Sequence, residues 1–230
     1  MKYSKGLIGI SIIFLVGLSF LLLGTKDKIK EHAIGKITED NKDYLVVLTG
    51  VKWKKYGKEV VVFSLEEEKK EIYRENFSEF NPWKIAIGDI DGDGREEISI
   101  GVYKKSPLHQ VMAKRPFIYS FINGRLEPKW RGSRLSRPFI DYNFYDIDGD
   151  GIDEIISIEI LKDNRKLINA YKWKGFGFEG YLETKDFEDI TKLIRKEDKI
   201  YIEVKEGEDK YLGLIELDDN NLIIERVELE

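Results

Sequence analysis

One string constrains this chain more than any other because it occurs twice, as IGDIDGDGREEISI at residues 87–100 and FYDIDGDGIDEIISI at residues 144–158. Each copy places carboxylates at loop positions 1, 3 and 5: Asp89, Asp91 and Asp93 in the first, Asp146, Asp148 and Asp150 in the second. Glycines at positions 4 and 6 permit a tight turn that directs the three acids inward. Carboxylates so close repel one another unless a cation lies between them. Position 7 (Arg95, Ile152) can offer a backbone carbonyl and position 9 is Glu97 or Glu154, which nearly completes an oxygen shell for calcium. Two calcium sites are therefore expected. A plain Asp-Gly hairpin turn without an ion is the alternative.

An EF-hand loop begins the same way but needs a bidentate Glu at position 12 and a helix on each side. Here position 12 is Ile100 or Ser157, and the flanks WKIAIGD, EEISIGVYK and DEIISIEI alternate or run apolar as strands do. In its apolar strand ending in GD or YD, its DIDGDG loop, its following acid and its second apolar strand, the chain resembles the FG-GAP/VCBS repeat family. Blades of this kind also build integrin-type β-propellers. The resemblance implies a loop between the first two strands of a four-stranded blade, holding an ion that serves structure more than catalysis. Glu97 and Glu154 depart from the Asp usual in integrin-type loops.

Asp89 and Asp146 stand 57 residues apart (146 − 89), a spacing compatible with propeller repeats. Strands are expected at 83–89, 96–103, 116–122 and 125–131, and again at 138–146, 153–161, 166–173 and 176–183. Upstream, IGKITEDNKDYLVVL aligns on the first loop with Lys36, Thr38 and Asp40 at the ligand positions, a degenerate blade that has lost its ion. Its outer strands fall at 59–65 and 70–77, and four more strands at 186–194, 199–204, 211–217 and 221–229 complete a fourth blade. The expected class is all-β, a four-bladed propeller-like domain over residues 26–230, with an open β-sandwich of the same hairpins as the alternative.

Ahead of this domain, Lys2 and Lys5 precede 19 uncharged residues, 6–24. As a helix they would span about 28 Å, close to the thickness of a hydrocarbon core. Residues 1–25 thus read as an uncleaved membrane anchor, with a cleavable signal peptide as the alternative. Calcium loops of the weak extracellular class place the domain outside the cytoplasm. The net charge of −5 argues against nucleic acid as a partner.

Catalytic signatures do not emerge. The chain has no Cys and 2 His, of which His32 and His109 read as surface residues, and it has no nucleophile elbow or phosphate-cradling loop. Lys104–Arg115, with Arg131, Arg134 and Arg137, reads as basic loops on one face that could meet an acidic polymer, a lipid headgroup or a protein. Trp53, Trp83, Trp130 and Trp173 do not recur at one blade position. The expected function is non-enzymatic: a calcium-binding scaffold that engages an unknown extracytoplasmic protein or glycan, with a carbohydrate-binding or carbohydrate-active envelope protein as the alternative.

Overall fold

The chain is described by a computed structural model at residues 27–66, 70–132, 134–196 and 198–227. Its strands follow one another as four antiparallel meanders, each sheet built from a contiguous stretch of sequence. The first holds β1 (Asp27–Gly35), β2 (Tyr44–Val51), β3 (Glu59–Ser64) and β4 (Glu71–Asn76). The second holds β5 (Lys84–Gly88), β6 (Glu97–Ser106), β7 (His109–Ile122) and β8 (Arg125–Trp130). The third holds β9 (Phe139–Tyr145), β10 (Glu154–Ile160), β11 (Lys166–Trp173) and β12 (Phe178–Glu183). The fourth holds β13 (Asp189–Lys196), β14 (Lys199–Glu206), β15 (Asp209–Asp218) and β16 (Asn221–Val227). The four sheets are arranged as the blades of a four-bladed propeller, which decides against the open sandwich.

Blade order explains the burial pattern. The second strands β2 and β10 are buried almost throughout, while the outer β4 and β12 are largely exposed. Because both faces of an inner strand meet a neighbour, β2 reads YLVVLTGV with no polar alternation: Val46 and Leu48 enter one cluster, Leu45 and Val47 another. Three apolar clusters join consecutive blades: Val60 and Phe117 share one, Ile118 and Phe144 the next, Ile156 and Ile202 the last. At roughly 25 cal/mol per Å² of apolar area removed from water, these interfaces are the main source of cohesion.

The innermost strands put charge on the axis. Lys84 of β5 bonds Asp141 of β9 at 2.6 Å. The half-buried Glu31 of β1 has its carboxyl pushed up by burial, against the pull of Lys84 and of Lys192 from β13. Each blade thus contributes one charge of alternating sign around the ring.

Two expectations need correction. Lys104–Arg115 is not a loop: β6 and β7 pair as far as Ser106 and His109 and form a two-stranded arm. Arg115, fully buried, stitches it by donating to the carbonyls of Lys104 (2.9 Å), His109 (3.1 Å) and Val111 (3.0 Å). His109 is accordingly a strand residue beside Arg115 rather than a loop histidine. The expected membrane anchor lies outside the described residues, among which no helix is long and apolar enough to cross a membrane.

Candidate metal centres

Both repeated loops connect the first and second strands of their blades, β5 to β6 and β9 to β10. The turns depend on left-handed backbone at positions 4 and 6, where Gly92 and Gly94 have φ of 73° and 83° and Gly149 and Gly151 have 74° and 86°. The position-1 acids organise them. Asp89 accepts from the N–H groups of Gly92 (2.8 Å) and Gly94 (2.9 Å), and Asp146 from those of Gly149 (2.7 Å) and Gly151 (2.9 Å).

Position 9 closes the cage from the next strand. Glu97 and Glu154 are buried at the start of β6 and β10, and each accepts from the backbone N–H of position 2, Ile90 at 3.3 Å and Ile147 at 3.0 Å. Carboxylate oxygens of Asp89, Asp91 and Glu97 converge within 4.8 Å of one another, as do those of Asp146, Asp148 and Glu154. The position-5 acids stand at the rim. Asp93 turns to Arg95, whose guanidinium holds its carboxyl below the usual range, and Asp150 pairs with Lys172 at 2.8 Å. Arg95 also reaches Glu39 of the first blade at 3.1 Å.

A lysine points into each cage, a feature the sequence reading missed. Lys129 of β8 bonds Asp91 and Glu97, the latter at 2.7 Å. Lys172 of β11 lies 2.6 Å from Asp148 and 3.4 Å from Glu154. The two lysines occupy different blade positions. Register places Ile98 opposite Tyr119 and Ile155 opposite Tyr171, so Lys172 corresponds to Ser120. Lys129 is the residue skipped by the bulge between β7 and β8, where the third blade has Tyr181. No spacing rule in the sequence links them to the loops.

The donor set fits a hard divalent cation. Three acids of the second loop, Asp148, Asp150 and Glu154, share one ammonium, so the lysine leaves most of their charge uncompensated. Asp148 Oδ1 is buried without a hydrogen-bond partner, a costly arrangement for an anionic oxygen unless a cation meets it, and the buried Glu154 Oε1 meets the Lys172 ammonium at a long 3.4 Å. Burial pushes the Glu154 carboxyl up to about 7, with the charge of Asp148 adding to the shift. Glu97 is also raised by burial, against the lowering effect of Lys129. Calcium would take the oxygens of Asp89, Asp91 and Glu97, and of Asp146, Asp148 and Glu154, with Asp93 and Asp150 and the carbonyls of Arg95 and Ile152 as the remaining donors. The two loops open onto one cavity of about 450 Å³, lined by Asp91 and Lys129 on one side and by Glu154 and Lys172 on the other.

The degenerate loop of the first blade replaces this electrostatics with neutral hydrogen bonds. Asp40 accepts from Thr38, from the hydroxyl of Tyr44 (2.8 Å) and from the N–H of Lys42 (3.2 Å). Tyr44 stands at position 9, and Asn41 at position 6 adopts φ 57° in place of glycine.

Position 8 has a separate role that the sequence reading left unassigned. Asp153 accepts from the N–H of Asp89 (3.0 Å) and donates its own N–H to the Asp89 carbonyl (2.7 Å). Glu96 repeats this clasp one blade earlier: its carboxylate accepts from the Lys36 N–H at 2.5 Å and its N–H donates to the Lys36 carbonyl at 3.0 Å. Each repeated acidic loop therefore grips the preceding blade.

Of the four tryptophans, Trp83, Trp130 and Trp173 pack on the cluster between the second and third blades. Trp53 alone of the four is strongly exposed, at 71%. No family model and no curated protein matches the chain.

Proposed function

We propose that the chain is a membrane-tethered, extracytoplasmic β-propeller that binds two calcium ions and serves as a non-enzymatic scaffold for a protein or glycan ligand. The observation that carries this reading is the repeated acidic cage, in which carboxylate oxygens converge within 4.8 Å and Asp148 Oδ1 is buried without a hydrogen-bond partner. The ions act structurally. They neutralise loops that clasp adjacent blades through Glu96 and Asp153.

Melting of the full chain in detergent with calcium or with EGTA tests the proposal. An ion that binds only the folded state adds RT ln(1 + [L]/Kd), about 1.4 kcal/mol per site at ten times Kd, so calcium should raise the melting temperature by several degrees. A curve indifferent to EGTA would return both loops to plain turns.

A further inference from the structure

In an antiparallel meander alternate turns lie at opposite ends, so the acidic loops occupy one end of the propeller, and the start of β1 lies at the other with the β2–β3 and β6–β7 turns. That second end carries an unpartnered surface of mixed apolar and basic character. Leu108 at the tip of the β6–β7 arm is 89% exposed, and Val111 and Met112 behind it are 58% and 40% exposed. Trp53 projects from the neighbouring β2–β3 turn. The two turns are coupled, since the rings of Tyr56 and Tyr103 stack at 5.8 Å.

Charge on this surface runs against the rest of the molecule. Residues 52–58 and 104–115 hold no acid, and Lys52, Lys54, Lys55 and Lys105 are exposed there, in a chain of net charge −5. Lys30 of β1 fixes the β2–β3 turn by donating to the carbonyls of Lys52 (3.4 Å) and Lys54 (2.5 Å). The corresponding turn of the fourth blade, with Glu206, Glu208 and Asp209, is acidic.

Chain geometry selects the occupant. The uncharged run of residues 6–24 is followed only by Thr25 and Lys26 before β1 begins at Asp27, and Asp27 pairs with Val51 beside the lysine-rich turn. Two residues reach about 7 Å when fully extended, so an anchored chain holds this end of the propeller against the bilayer. The arm has the matching reach. It runs from Val102 to Ser106 beyond Lys84, where β5 begins, a projection of about 17 Å at 3.4 Å per residue.

We propose that the end of the propeller formed by the β2–β3 turn and the β6–β7 arm docks on an anionic lipid surface, with Trp53 and Leu108 in the interface and the lysines on the headgroups. This rests on the membrane-tether reading above. Docking fixes the calcium loops at the far end, facing away from the membrane.

The chain lacks cysteine, so single labels report each end without background. The full chain carrying Leu108→Cys, or Phe176→Cys at the opposite end, is labelled with an environment-sensitive fluorophore and reconstituted in phosphatidylcholine vesicles with or without phosphatidylglycerol. The label at 108 should be quenched by spin-labelled lipids and more strongly with phosphatidylglycerol, while the label at 176 stays in water. Replacing Lys52, Lys54 and Lys55 with Gln should weaken docking by roughly five-fold per lysine. If the chain floats with vesicles but the label at 108 stays in water, docking is overturned, the tether stands, and the surface is left to an acidic protein. Quenching that ignores phosphatidylglycerol would overturn the anionic-lipid assignment, and failure to float with any vesicle would overturn the tether and docking together.

Discussion

A lysine that reaches the corresponding carboxylates from two unrelated blade positions gives the acidic cages their particular chemistry. Lys129 offers one positive charge to Asp91 and Glu97, and Lys172 one to Asp148, Asp150 and Glu154, which holds each loop together without satisfying it. A divalent ion competes by charge and by coordination number, and the buried, unbonded Asp148 Oδ1 marks where it gains most. Asp148→Ala should therefore remove the second ion and part of the calcium-dependent stabilisation, and Asp40→Ala should change neither, because Asp40 is already satisfied by Tyr44 and Lys42. Melting curves of both variants with and without calcium check this. The titration of Glu154 adds a signature. Burial raises its folded value to about 7 from an ordinary 4.5, so the folded protein without calcium holds a proton that the unfolded chain has released. This group's contribution to stability accordingly falls as pH rises from about 4.5 through about 7. Calcium, which requires the ionised carboxylate, should release protons near neutral pH and progressively fewer above it. Titration in buffers of different ionisation enthalpy reads that release directly.

At the scale of elements, strand order and blade phase were legible from the repeat, since a loop of fixed pattern pins the strands before and after it. The degenerate first blade was readable through alignment on the same loop, and Asn41 keeps the backbone turn that glycine makes elsewhere. The arm was not legible. Pro107 and a run of polar residues resemble a loop, and the strand pairing depends on Arg115 gathering carbonyls from across the hairpin, a contact with no local signature. The lysines of the cages were hidden for a similar reason, since one reaches its cage from a bulge and the other from a regular strand position. The position-8 clasp was visible only as a second acid beside Glu97 and Glu154. Asp153→Ala should remove the acceptor for the Asp89 N–H and destabilise the domain by about 1–2 kcal/mol, while Asp153→Asn, which keeps an acceptor oxygen, should cost less. Denaturant unfolding of the two variants separates these outcomes.

At the scale of the whole molecule, the propeller has two unlike ends joined by a charged axis. One end carries acidic cages and the other a basic, partly apolar surface next to the start of β1. The proposed calcium sites and the proposed tether thus lie at opposite ends of the domain. If the domain lies outside the cytoplasm, a reporter active only in the cytoplasm should stay silent when fused after Glu230, and an active reporter would reverse the proposed topology.

The most direct test of the account is calorimetric titration of the full chain, in detergent, with calcium. Two ions should bind, Asp91→Ala and Asp148→Ala should each leave one, and the double variant should leave none. A titration without binding heat in buffers of differing ionisation enthalpy, from a chain whose melting is equally insensitive to calcium, would contradict the claim that these loops are metal centres.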